Sequence, residues 1–169
     1  MDIHSTAIND PDAHLGQGVT VGPFCIVEAG AVVGEACRLE ARVTIKQDTV
    51  LGAANHVFEG AVLGGIPQHL AAGEQLGRLV IGAGNTIREN ATIHRGLGPT
   101  DVTVIGEHNL IMINVHIAHD CHIGNHTVLI TNVMLAGHVT VEDRAYMAGG
   151  SAVQQFRRVG RLATVGGYG

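Results

Sequence analysis

The chain repeats itself every six residues, and that period constrains its fold more than any other feature. Aliphatic side chains stand at Leu15, Val21, Val27, Val33, Leu39, Ile45, Leu51, Val57 and Leu63 without a break. The register resumes at Ile81, Ile87 and Ile93, and again from Ile105 through Ile111, Ile117, Ile123, Leu129, Leu135, Val141, Met147, Val153, Val159 and Val165. A helix would need spacings of three and four, which this pattern does not offer. The residue two places before the aliphatic is usually small, as at Cys25, Ala31, Cys37, Thr49, Ala61, Ala91, Cys121, Ala145 and Ser151. Glycine often follows the aliphatic, as at Gly16, Gly34, Gly52, Gly82, Gly106 and Gly124. One hexapeptide cannot bury its apolar side alone, so the repeats must stack into a continuous column.

This signature resembles the hexapeptide-repeat proteins, which implies an all-β fold: a left-handed parallel β-helix, or triangular prism, with three hexapeptides per coil. The hand comes from the resemblance, since ordinary parallel crossovers are right-handed. One domain over residues 1–169 is expected. The core fits, because only five residues are Phe or Tyr, Trp is absent, and aliphatics dominate a 46% hydrophobic share. Two segments break register, about 65–80 with Pro67, Gly73 and Gly77, and about 95–104 with Gly96, Gly98 and Pro99. They read as loop excursions from the prism, the usual place for ligand contacts.

A formal charge of −5 argues against nucleic acid as a partner, since phosphate binding needs clustered Lys and Arg. No apolar run reaches the length of a membrane span, so no stable membrane insertion is expected. The start, MDIHSTAIND, lacks the basic-then-apolar order of a secretory signal, and a cytoplasmic location is expected. The three cysteines all fall on the inward small position and read as reduced core residues.

Eleven histidines are many for this length, and the dense group lies in NVHIAHDCHIGNH. Residues one coil apart, eighteen in sequence, should stack at the ordinary strand spacing of about 4.8 Å. Gly137 then stacks on His119, Gln155 on Gly137, and His138 on Asp120. That patch suits acyl transfer. A sugar hydroxyl is a weak nucleophile and needs a base that titrates near neutrality. A carboxylate can fix the tautomer of that base, and a glycine N–H can stabilise the oxyanion. Metal binding through His116, His119 and His122 is the rival reading. Side chains three apart diverge on a prism, however, and the γ-class carbonic anhydrases of this fold pair histidines five apart. No metal and no cofactor are expected.

At these residues the chain resembles the UDP-N-acetylglucosamine O-acyltransferases of lipid A biosynthesis. The strings that carry the resemblance are VGPFCIV (21–27), GGIPQHL (64–70), IRENATIHRG (87–96), HNLIMINVHIAHDCHIGN (108–125), LAGHVTVED (135–143), AVQQF (152–156) and VGG (165–167). The resemblance implies that His119 is the general base on the glucosamine 3-hydroxyl, that Asp120 orients it, and that Gly137 donates the oxyanion N–H. It implies that His94, His116, His138 and Gln155 line the sugar and acyl pocket. It puts Gly167 near the distal end of an acyl groove. The implied donor is a 3-hydroxyacyl group on acyl carrier protein, with active sites between the subunits of a homotrimer.

The chain also departs from that family. The first excursion reads QHLAAGE, with His69 and Ala71 where the family commonly carries an acidic residue and a lysine, so His69 is the candidate substrate contact there. Gln154 stands where the family has histidine. Arg157 falls on an inward position, where an unpaired charge is costly unless the end of the prism is open there. The family's C-terminal helical domain is expected to be absent, the chain ending at Gly169 on the last coil. Arg157, Arg158 and Arg161 form a basic cluster suited to an acidic carrier protein. Three other readings keep the fold: another acceptor or an acyl-CoA donor, a non-catalytic trimeric paralogue, and a zinc enzyme.

Overall fold

Each hexapeptide forms one short strand followed by a tight corner, and three of them complete a coil. In the computed structural model, which describes residues 2–168, the strands collect into three parallel sheets that are the flat faces of a left-handed β-helix. Face one has nine strands, from Asp2–Ile3 to Thr164–Val165. Face two has eight, from Ile8–Asn9 to Ala152–Val153, and face three has eight, from His14–Leu15 to Arg158–Val159. Every pairing is parallel because each strand meets its counterpart one coil away.

The aliphatic and the small residue both point inward, as the repeat predicts. Leu39, Ile45, Leu51, Leu63, Ile87 and Ile117 are fully buried, and so are Cys25, Ala61, Cys121 and Ser151. The three cysteines are free thiols. Burial raises all three, and Cys121 is pushed up to about 12, which leaves it inert. The glycine after the aliphatic has a steric cause. A Cβ on Gly34 would stand 2.6 Å from the backbone of Gly52 in the next coil. Only glycine lets the coils close to strand spacing at that corner.

One feature of the core is polar. On face one the inward small position is filled in successive coils by Asn55, Asn85, Asn109 and Thr127, all buried. Asn55 Oδ1 accepts the Asn85 backbone N–H at 2.8 Å, Asn85 Oδ1 accepts that of Asn109 at 2.8 Å, and Asn109 Oδ1 accepts that of Thr127 at 2.7 Å. Asn85 Nδ2 also donates to the Gly82 and Gly106 carbonyls. Replacing Asn85 with Ala strands the Asn109 N–H and the Gly106 carbonyl inside the prism. Urea unfolding is expected to show a loss of at least about 2 kcal/mol.

The two excursions are shorter than the sequence suggests. The chain leaves the prism after Val62–Gly65 and returns at Arg78–Ile81, then leaves after Thr92–His94 and returns at Val102–Ile105. Residues 78–80 and 102–104 therefore belong to strands, and Arg78 through Ile81 pair with Val102 through Ile105. Both excursions replace the corner between faces two and three, in successive coils. Arg157 lies at that corner's far side on face three. No described strand stacks beyond Arg158–Val159, so its charge is exposed rather than buried. No helix of the described residues is long and apolar enough to cross a membrane.

Candidate functional site

The coil after the second excursion turns the same corner with Ala118, His119, Asp120 and Cys121, between His116–Ile117 on face two and His122–Ile123 on face three. Asp120 takes the left-handed backbone there (φ 60°), as do His138 and Phe156 at the equivalent place in the next two coils. Aspartate and histidine enter this region more readily than most residues. The His138 N–H donates to the His119 carbonyl at 3.0 Å and the Phe156 N–H to the Gly137 carbonyl at 3.3 Å. The eighteen-residue registry of His119, Gly137 and Gln155 thus holds.

His119 is buried, 3% exposed. Its Nδ1 lies 2.6 Å from Asp120 Oδ2. An ionised carboxylate only accepts, so the proton sits on Nδ1 and leaves the Nε2 lone pair free. Asp120 is itself held. Its backbone N–H donates to Thr103 Oγ1 at 2.8 Å, its Oδ1 accepts the Leu97 N–H at 3.3 Å, and His138 Nε2 stands 3.5 Å from Oδ2. The His138 and His69 rings each meet the His119 ring edge-on at 5.2 Å. His138 in turn stacks flat on Phe156 at 4.6 Å.

Gly137 lies against the ring. A Cβ built on it would stand 2.5 Å from His119 Cε1 and 2.6 Å from Nε2. The flanking Ala136 and His138 N–H groups bond to the Val153 and His119 carbonyls, whereas the Gly137 N–H donates to no group among the described residues. An unengaged donor therefore stands beside an available imidazole lone pair.

His94 and His116 form a second pair, ring edge to ring face at 4.7 Å. His116 Nδ1 is 2.8 Å from Thr92 Oγ1, and His94 packs beneath Gly65. Burial lowers His116 below the ordinary imidazole range. Burial first, then the neighbouring His116 and His119, lowers His94 from 6.5 to about 4. The unfolded chain takes up that proton between those values and the folded chain does not. Stability from this group is complete above pH 6.5 and is lost as the pH falls through 4, about 3 kcal/mol in all. Chemical denaturation across that interval should show the loss, and His94→Asn should remove most of it.

The structure brings His119, Asp120, Gly137, His138 and His69 to one corner, with His94 and His116 beside it on face two. Gln155 is in register one coil beyond Gly137 and exposed. Gly167 is elsewhere, stacked on Gly149 at the corner between faces one and two. His116, His119 and His122 are not brought together, since His116 and His122 sit on different faces. A different trio, His119, Asp120 and His138, offers ligand atoms within 4.8 Å of one another. Sequence reading missed Leu97, Thr103 and Phe156. Phe156 follows from the same stacking arithmetic, one coil after His138, whereas the Leu97 contact depends on the path of a loop.

The parallel prism defines a hexapeptide-repeat protein, and residues 12–47 and 103–129 match the family Bacterial transferase hexapeptide (six repeats). A protein of Rhizobium johnstonii named acyl-(acyl-carrier-protein)–UDP-N-acetylglucosamine O-acyltransferase is 44% identical over 166 residues, covering 98% of this chain and 61% of the relative. The like-named protein of Paraburkholderia xenovorans is 43% identical over 94% of this chain and 61% of its own length. The crystal structure of Francisella novicida UDP-N-acetylglucosamine acyltransferase superposes with a TM-score of 0.96 at 39% identity, over 98% of this chain and 60% of that one. For the Campylobacter jejuni protein the TM-score is 0.85 at 31% identity, over 98% and 71%. The chain belongs to the UDP-N-acetylglucosamine O-acyltransferase family. It spans about three fifths of the length of the curated relatives it matches.

Proposed function

We propose that this chain transfers a 3-hydroxyacyl group from acyl carrier protein to the 3-hydroxyl of UDP-N-acetylglucosamine, with His119 as general base. The observation that carries this reading is the Asp120–His119 contact of 2.6 Å with the bare Gly137 backbone against the far side of the ring. His119 Nε2 takes the hydroxyl proton as the oxygen attacks the thioester carbonyl. Asp120 holds the tautomer and stabilises the imidazolium that forms. The tetrahedral oxyanion accepts the Gly137 N–H. Collapse expels the carrier thiolate, which takes the proton back from Nε2. The residues act without a metal or an organic cofactor.

An open, mostly apolar groove of about 400 Å³ on face two supports an acyl donor. His116, Met134, Leu135, Ala136, Ala152, Val153 and Gln154 line it, so it begins beside the base. Burial of a hydrocarbon chain there would be favourable at about 0.8 kcal/mol per methylene. Gly167 would mark the distal end of such a groove. We assign His94, His116, His138 and Gln155 to the lining of the sugar and acyl pocket, with His69 as a further substrate contact. We assign the chain to a cytoplasmic homotrimer. The exposed Arg157 and Arg161 offer the basic surface for an acidic carrier, with Arg158 beside them paired to Glu142.

The deciding experiment compares 3-hydroxyacyl carrier protein with 3-hydroxyacyl-CoA as donors to UDP-N-acetylglucosamine. Ester product from the carrier donor at a kcat/KM at least about tenfold above CoA is expected, in keeping with carrier recognition by charge. Equal use of both donors would remove the carrier protein from this reading. Absence of ester product from either would overturn the reading itself.

A further inference from the structure

We propose a metal site at the catalytic corner: a divalent transition ion, zinc above all, binds between His119, Asp120 and His138 and locks the base in its inactive tautomer. Two imidazoles and one carboxylate suit an ion that prefers nitrogen and oxygen in four-coordinate geometry. One ligand atom from each lies within 4.8 Å of the others. Bonds of 2.0–2.1 Å in a tetrahedron put neighbouring ligand atoms roughly 3.3 Å apart. His138 Nε2 and Asp120 Oδ2 already stand 3.5 Å apart. The His119 Nδ1–Asp120 Oδ2 contact, at 2.6 Å, must open, as it does when an ion replaces the proton between them, and the two ring nitrogens must settle at the same spacing from within 4.8 Å.

The carboxylate is preorganised for this. The Leu97 N–H on Oδ1 and the Thr103 hydroxyl on the backbone N–H fix Asp120 while Oδ2 stays shared between the two rings. A path also exists. A shallow cavity on the face-three side is lined by Thr100, Asp101, Val102, Asp120, His122 and His138. A second carboxylate, Asp101, thus flanks the entrance, and a water molecule can complete the coordination.

The consequence is chemical. An ion on Nδ1 uses the lone pair there, so the neutral ring carries its single proton on Nε2. One proton moves from Nδ1 to Nε2 through solvent and none is lost. Nε2 then has no lone pair to receive the proton of an attacking hydroxyl. The ion is an inhibitor of the reaction and takes no part in it. Binding stands independently of the proposed activity, whereas inhibition rests on the role of His119 given above.

Calorimetric titration of the chelator-treated full chain with zinc chloride tests the site. One ion per chain with micromolar affinity is expected. Asp120→Asn and His138→Gln should each weaken binding at least about tenfold, with the far-ultraviolet spectrum unchanged. His138 is partly exposed, so its variant reports binding even if the Asp120 variant folds poorly. The exposed His108–His126 stack is the competing location, and His108→Gln with His126→Gln should leave affinity unchanged. No micromolar binding, binding that survives both corner variants, or binding lost with the His108 and His126 pair would overturn the site. In a parallel acyl-transfer assay zinc should inhibit and chelator restore the rate. An inactive chain that binds zinc with the expected variant pattern would uphold the site and sink the proposed reaction. An active chain indifferent to saturating zinc would sink the tautomer lock.

Discussion

Replacing His119 with Ala is expected to lower turnover by a factor of about 10²–10⁴, the range a positioned general base supplies. The effect should fall on kcat, because the ring is buried at 3% exposure and its Nε2 acts on the proton in flight rather than on the bound sugar. The fold should survive. Ile117 and Cys121, the inward residues on either side, are untouched, and Asp120 keeps the Leu97 N–H and Thr103. Steady-state rates with carrier-bound donor, alongside thermal melts, separate the two effects. A variant that folds and keeps the parent rate would remove His119 from the chemistry.

Gly137→Ala should cost about two orders of magnitude in kcat, a loss of the size seen when an oxyanion donor is removed. The added methyl would stand 2.5 Å from His119 Cε1 and 2.6 Å from Nε2, closer than any real contact, so the ring must turn away. Turning breaks the 2.6 Å bond to Asp120 and blocks the approach to the Gly137 N–H at once. Gly160→Ala is the matched control. A Cβ there meets nothing within 4 Å, and a similar fall at that position would mean that the loss reflects glycine chemistry at large. Suppression of the Gly137→Ala defect by removing the ring is not expected, since both groups serve the same step.

Much of this protein is legible by counting. The six-residue period assigns Ile117 and Cys121 inward, and stacking by eighteen sets Gly137 on His119 and His138 on Asp120. The same count, carried one coil further, reaches Phe156. It stops working at the excursions. Ile81 lies opposite Leu51 and Ile105 opposite Ile81, longer strides than eighteen, because the inserted residues leave and rejoin at one corner. Glycine and proline marked those breaks but put their ends too wide, since Arg78–Val80 and Val102–Val104 alternate as well in a strand as in a loop. Arg157 could not be resolved by counting for a related reason. Its inward register is real, but burial requires a covering coil, and a repeat pattern says nothing about which strand is last in its sheet.

The sequence by itself determined the prism, its three faces and the vertical partners of each side chain, because every coil must bury the same two inward positions and has one way to stack. Only the tertiary structure decided what gathers around the base. Leu97 and His69 come from loops whose paths follow from packing at the corner, not from period, and the distance from Asp120 to His119 and His138 depends on a backbone turned into the left-handed region at both corners. Periodicity fixes which residues are neighbours along the axis. Hydrogen bonding and loop closure fix how close they come, and the chemistry depends on those tenths of an ångström.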